Sequence, residues 1–121
     1  MDPQVIFSHF IDRALLPEKA RRFAELSTTQ KGQKKILKSL CHEFAPAIRQ
    51  AVAHRKKLDA LWDKPCFVFH EQMGFGIEVS SLREAYDKLS LADGWLILLA
   101  DGSTGIHRPE ARWDDEKLIV V

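Results

Sequence analysis

Six apolar residues in a row, Trp95-Leu96-Ile97-Leu98-Leu99-Ala100, carry none of the alternation that marks a strand with one wet face. A strand of this kind has to be covered on both sides, which places it at the centre of a sheet. The run is far short of the ~18 apolar residues that a membrane span requires. A chain of 121 residues fits one domain, 1–121. At that length a compact fold removes roughly two-thirds of the unfolded chain's surface from water, so neither disulfides nor metal are needed to hold a core.

The residues around this run continue in strand-and-turn patterning. Cys66-Phe67-Val68-Phe69 has high β-propensity, and Ile77-Glu78-Val79 predicts a second short strand. Gly74 and Gly76 bracket Phe75, a pattern for a bulge or turn with the ring tucked inward. Ser81-Leu82-Arg83-Glu84 matches a capping box and opens a helix with Leu82, Ala85, Tyr86 and Leu89 on its inner side. Asp101-Gly102 is a type I′ hairpin signal, with a return strand over Ser103 to Arg108 that Pro109 ends. Leu118 to Val121 closes the sheet, reached through the charged turn Asp114-Asp115-Glu116.

Before Lys64-Pro65 the texture is helical. Asp2-Pro3 supplies an N-cap and a first-turn proline, and Val5, Ile6, Phe10, Ile11 and Ala14 follow at helical spacing. Pro17 stops that helix and opens a second, with Ala20, Phe23, Ala24 and Leu26 inside. Ser27-Thr28-Thr29 caps a third, whose inner stripe is Ile36, Leu37, Leu40, Cys41 and Phe44. Pro46 predicts a break near Glu43 to Ala45 and a fourth helix from about Pro46 to Trp62, with Ala47, Ile48, Ala51, Leu58 and Trp62 inside. The whole reads as an α+β fold. An N-terminal layer of about four helices, 1–62, packs on one face of a small, largely antiparallel sheet with one additional helix, 66–121.

Charge divides along the same line. Met1 to Ala60 holds 12 Lys/Arg against 6 Asp/Glu, and Leu61 to Val121 holds 6 against 11, so +6 and −5 leave the net +1. Asymmetry of this kind points to a partner of complementary sign. In the third helix Lys31, Lys34, Lys35 and Lys38 fall in one sector about 100° wide, opposite the apolar stripe. The acidic counterpart is the turn Asp114-Asp115-Glu116. Arg55 projects near the inner face of the fourth helix, where its stem is expected to snorkel past the helix end, and it is the leading basic group for any pairing with an acid inside the fold.

Catalytic constellations are weak. Cys41 and His42 are neighbours on a helix and point about 100° apart, too far for a nucleophile–base pair. His42-Glu43 and His70-Glu71 begin like a zinc-binding helix, but the fourth residue on is Pro46 or Gly74 rather than a second histidine. A metal site would have to be assembled across the sheet from His70, Glu71 and His107. No phosphate-binding glycine loop with its lysine is present, and no catalytic residue, metal or cofactor is assigned.

These observations favour a non-enzymatic protein-interaction domain of regulatory, adaptor or inhibitor type, binding another protein or a second copy of itself. Nucleic-acid binding through the basic helical face is the alternative, although aromatic residues are not interleaved with the lysines. A small metal-dependent hydrolase using His70, Glu71 and His107 comes third. No basic segment precedes an apolar one at Met1-Asp2-Pro3, and Cys41 and Cys66 lie in apolar surroundings, so a cytoplasmic location without a membrane partner is expected.

Overall fold

The computed structural model describes residues 2–49, 55–89, 91–110 and 116–121. The helices are α1 (Pro3–Ala14), α2 (Pro17–Leu26), α3 (Gln30–Ser39), the short α4 (Phe44–Ala47) and α5 (Leu82–Leu89), with a 3-10 helix over Arg55–Leu61. The strands are β1 (Cys66–His70), β2 (Gly74–Val79), β3 (Trp95–Leu99), β4 (Thr104–Arg108) and β5 (Lys117–Val120). They form one antiparallel sheet in the order β2-β1-β3-β4-β5, so the unalternated run is the central strand. All five residues of β3 are buried.

Local chemistry explains most boundaries. The Asp2 carboxylate caps α1 by accepting from the Gln4 amide at 2.9 Å, with Pro3 in the first turn. Leu15 then turns extended, bridging Ile48, and Leu16 holds the non-helical ψ of 141° that the residue before Pro17 favours. Thr29 caps α3, accepting from the Gly32 amide at 3.0 Å. Gly32 is there for space, because an added Cβ would lie 1.9 Å from the Leu26 carbonyl oxygen. In β2 the register slips opposite Val68/Phe69, and the Phe75 ring turns inward onto Phe7 and Phe69.

Four expectations need correction. The helix from Pro46 to Trp62 is not continuous. Its first part stops at Ala47, because Ile48 is extended and bridges Leu15. The Leu16 amide donates to the Ala47 carbonyl and the Arg49 amide to the Ala14 carbonyl, each at 2.8 Å, so long-range bonds replace the helical ones. Of its inner face, Ala51 lies outside the described residues.

The helices also cover both faces of the sheet rather than one. Residues Phe67, Phe69, Leu96, Leu98 and Ile119 pack under the layer of α1 to α4. Cys66, Val68, Trp95, Ile97 and Leu118 face α5 and Leu58. The topology forces this arrangement. Strands β2 and β3 are both antiparallel to β1, hence run the same way, and the chain between them must return across a face. Helix α5 is that crossover, and the face left open to it is the one opposite α1 to α4.

The Asp101-Gly102 turn is not type I′, because only Gly102 has positive φ and no described non-glycine residue does. Asp101 instead accepts from the Ser103 amide and hydroxyl, and the Leu99 carbonyl accepts from the Gly102 amide. The capping box forms by half. The Ser81 hydroxyl accepts from the Glu84 amide, but the Glu84 carboxylate takes the Ser80 hydroxyl rather than the Ser81 amide.

Candidate functional site

Helix α3 owes its amphipathic form to a simple division. Ile36 and Leu37 are buried toward the sheet, and Lys31, Lys34, Lys35 and Lys38 are all exposed on the outer side. The helix contains no acid, and among the described residues none of its lysines forms an ion pair. The spacings 31–35 and 34–38 stack like charges one turn apart, a mildly destabilising arrangement of a few tenths of a kcal/mol per pair. The end of the helix is fixed from below: His107 of β4 donates from Nε2 to the Leu40 carbonyl at 2.8 Å, against the Phe44 ring.

The acidic side behaves differently. Asp114 and Asp115 lie outside the described residues. Glu116 is not a displayed charge, since its side chain is only 13% exposed. Its carboxylate accepts from the Tyr86 hydroxyl at 2.7 Å and from Arg108 Nη1 at 3.4 Å. Arg108 also donates from Nε to Asp93 at 3.0 Å, so it bridges two carboxylates. The expected internal partner, Arg55, has its side chain outside the described residues. Among the described residues of the second half, Arg108 pairs with two acids and Lys88 with Glu84, and nothing in the spacing of the sequence had marked Arg108.

Along the same face, the Tyr86 ring meets the rings of Trp62 and Trp95 edge to face, at 5.1 and 5.7 Å. Trp95 anchors to the Ala92 carbonyl and Trp62 to the Asp59 carboxylate through their indole N–H groups. The Arg83 guanidinium sits 5.7 Å from the Trp62 ring centre. A groove of about 480 Å³ runs between these rings, Asp59, Asp87 and Glu116.

The residues considered for metal chemistry do not come together. Phe69, Leu96 and His107 occupy one row across the sheet, so His107 faces the α1–α4 layer while His70, one residue on, projects to the other face two strands away. Burial drives the His107 imidazole down to about 4, so it stays neutral. No group of three or more His, Cys, Asp and Glu among the described residues is placed to hold a metal ion. His70 and Glu71 instead line a cleft at the sheet end with Cys41, Asp93 and Glu110. Burial and the neighbouring carboxylates of Glu110, Glu71 and Asp93 raise the Cys41 thiol, the wrong direction for a nucleophile. His42 is 3.3 Å from Glu110 rather than directed at Cys41. Cys66 is buried under α5, and its thiol is pushed up to about 11.

No helix among the described residues is long and apolar enough to cross a membrane. Comparison with known protein families, with characterised proteins and with solved structures finds no match to this chain.

Proposed function

We propose that this chain is a non-enzymatic interaction domain, of regulatory, adaptor or inhibitor type, that engages an acidic protein surface through α3. The observation that carries this reading is the bare lysine face: four exposed, mutually repelling charges on ten residues, with no acid beside them. Stability does not account for that pattern, because the repulsion acts against the helix. An anionic partner turns it into an attraction and steers encounter as well. Glu116 of the proposed acidic turn is engaged by Arg108 and Tyr86, whereas among the described residues no lysine of α3 forms an ion pair. Two cysteines held as thiols suit a reducing cytoplasm.

A protein surface is favoured over nucleic acid by two features. The lysines span only about two turns, roughly 10 Å, a short track for a phosphate backbone. The aromatic rings that could stack on bases, Trp62, Tyr86 and Trp95, are packed on one another across the sheet from α3. Fluorescence polarisation with labelled octaglutamate and with labelled duplex DNA separates the classes. The expected result is salt-sensitive peptide binding, lowered roughly tenfold by Lys34→Glu plus Lys38→Glu, with a weak response to DNA. Tight DNA binding lost in the same variant would move the function to nucleic acid. No binding of either probe would remove α3 as a docking face.

A further inference from the structure

We propose that β5 pairs with the β5 of a second copy of this chain, antiparallel about a two-fold axis, so that two five-stranded sheets join edge to edge. The register of β5 on β4 fixes which of its backbone groups are free for this. The Val121 amide donates to the Ser103 carbonyl at 3.0 Å, and Thr104 stands opposite Val120. Backbone groups alternate in direction along an antiparallel strand, so Lys117, Ile119 and Val121 bond to β4. The amides and carbonyls of Leu118 and Val120 therefore point away from the sheet, and among the described residues none of them takes another backbone partner. The Val120 side chain is also 49% exposed. A row of unpaired groups of this kind is a template for another strand.

The opposite edge of the sheet is guarded against pairing. In β2 the register slips at Gly76, whose φ is +74°, Pro3 packs on that glycine, and Glu78 is exposed. A bulge and an outward charge are devices that keep an edge strand from adding a neighbour. Strand β5 has no bulge, no proline and no acid, and its one charge, Lys117, stands at its first position. Its length selects the occupant. Leu118 and Val120 together offer four backbone groups, too few to repay the ordering of a flexible peptide, which loses entropy at every residue fixed. A second β5 arrives already extended. With Ile119 on the axis, Leu118 of each copy faces Val120 of the other, and each such pair exchanges amide–carbonyl bonds. Both side chains lie on the sheet face toward α5, so the exposed valine is covered by a leucine and Lys117 meets no like charge. The contact uses no residue of α3 and does not rest on the reading given to its lysines.

Analytical ultracentrifugation of the whole chain tests this, with protein from about 10 µM to about 1 mM. An edge of this length makes a small interface, so the expected result is a monomer–dimer equilibrium with a dissociation constant on the order of 100 µM. Raising the salt is expected to change it little, because the contact carries no ion pair. Val120→Pro removes only an outward amide and keeps the bonds to β4, and is expected to weaken dimerisation about tenfold or more. Val120→Lys, at the same exposed position, sets a charge against Leu118 of the second copy and is expected to do the same. Lys34→Glu plus Lys38→Glu leaves the dimer unchanged, which separates this contact from docking through α3. A monomer at every concentration overturns the proposal and leaves the edge to a strand of a different protein. A dimer that survives Val120→Lys, or one lost in the lysine-to-glutamate variant, overturns it as well. Should Val120→Pro not fold, Val120→Lys decides alone.

Discussion

The Nε2 atom of His107 lies 2.8 Å from the carbonyl oxygen of Leu40, joining the buried face of β4 to the end of the lysine helix. A carbonyl only accepts, so the imidazole donates from Nε2 and its Nδ1 is left buried without a partner. The bond satisfies a carbonyl that the end of α3 would otherwise leave unpaired.

Burial of His107 makes stability depend on pH, and the bond to Leu40 offsets only part of that effect. An unfolded chain protonates His107 near 6.5, whereas the folded chain holds it neutral down to about 4, through burial and the Lys117 charge opposite. Above 6.5 neither state binds the proton and stability is at its full value. As pH falls from 6.5 toward 4 only the unfolded state binds it, and roughly 3 kcal/mol is lost. Urea denaturation across this window is expected to show that decline in the wild type. In His107→Gln the decline flattens, on a baseline lowered by about 1–3 kcal/mol if the Leu40 carbonyl loses its donor.

Gly32→Ala separates helix propensity from packing. Alanine favours a helix interior by about 1 kcal/mol over glycine. The Leu26 carbonyl leaves no room for the added carbon, and the crowding is expected to win by about 1–3 kcal/mol. A lower melting temperature checks this; a higher one would show that the α2–α3 connection yields easily.

Tyr86 and Glu116 are expected to be energetically coupled. A double-mutant cycle with Tyr86→Phe and Glu116→Gln should return about 1–2 kcal/mol, the range for a hydrogen bond to a half-buried carboxylate. Additive effects would mean that Glu116 acts through Arg108 alone.

The two thiols are expected to differ in reactivity. Cys41 is half-buried at the sheet-end cleft and Cys66 is fully buried. Thiol-specific labelling of the native protein should modify Cys41 slowly, with a rate still rising above pH 9, and reach Cys66 only after unfolding. Equal rates for both would show that β1 opens readily.

Much of this architecture was legible because short-range chemistry decides it. Asp2-Pro3 and Thr29 cap as the sequence implies, and Phe75 turns inward at its glycines. The unalternated β3 is central. What was missed depends on contacts between distant segments. Nothing in Pro46 to Trp62 reveals that Ile48 will pair with Leu15 and end the helix. The cover on the second face had a signal that went unused, since Cys66 to Phe69 lacks alternation just as β3 does. Of the functional candidates, the lysine face was readable from helical spacing alone. Glu116 was not, because its burial depends on Tyr86 and Arg108 closing over it from other elements.

The claim that α3 is the docking face is tested most directly by amide chemical-shift mapping with unlabelled octaglutamate. The expected shifts are confined to Lys31 through Lys38 and the residues beside them, fade as salt is raised, and vanish in Lys34→Glu plus Lys38→Glu. Shifts centred on any other surface, or none on α3 at low salt, would contradict it.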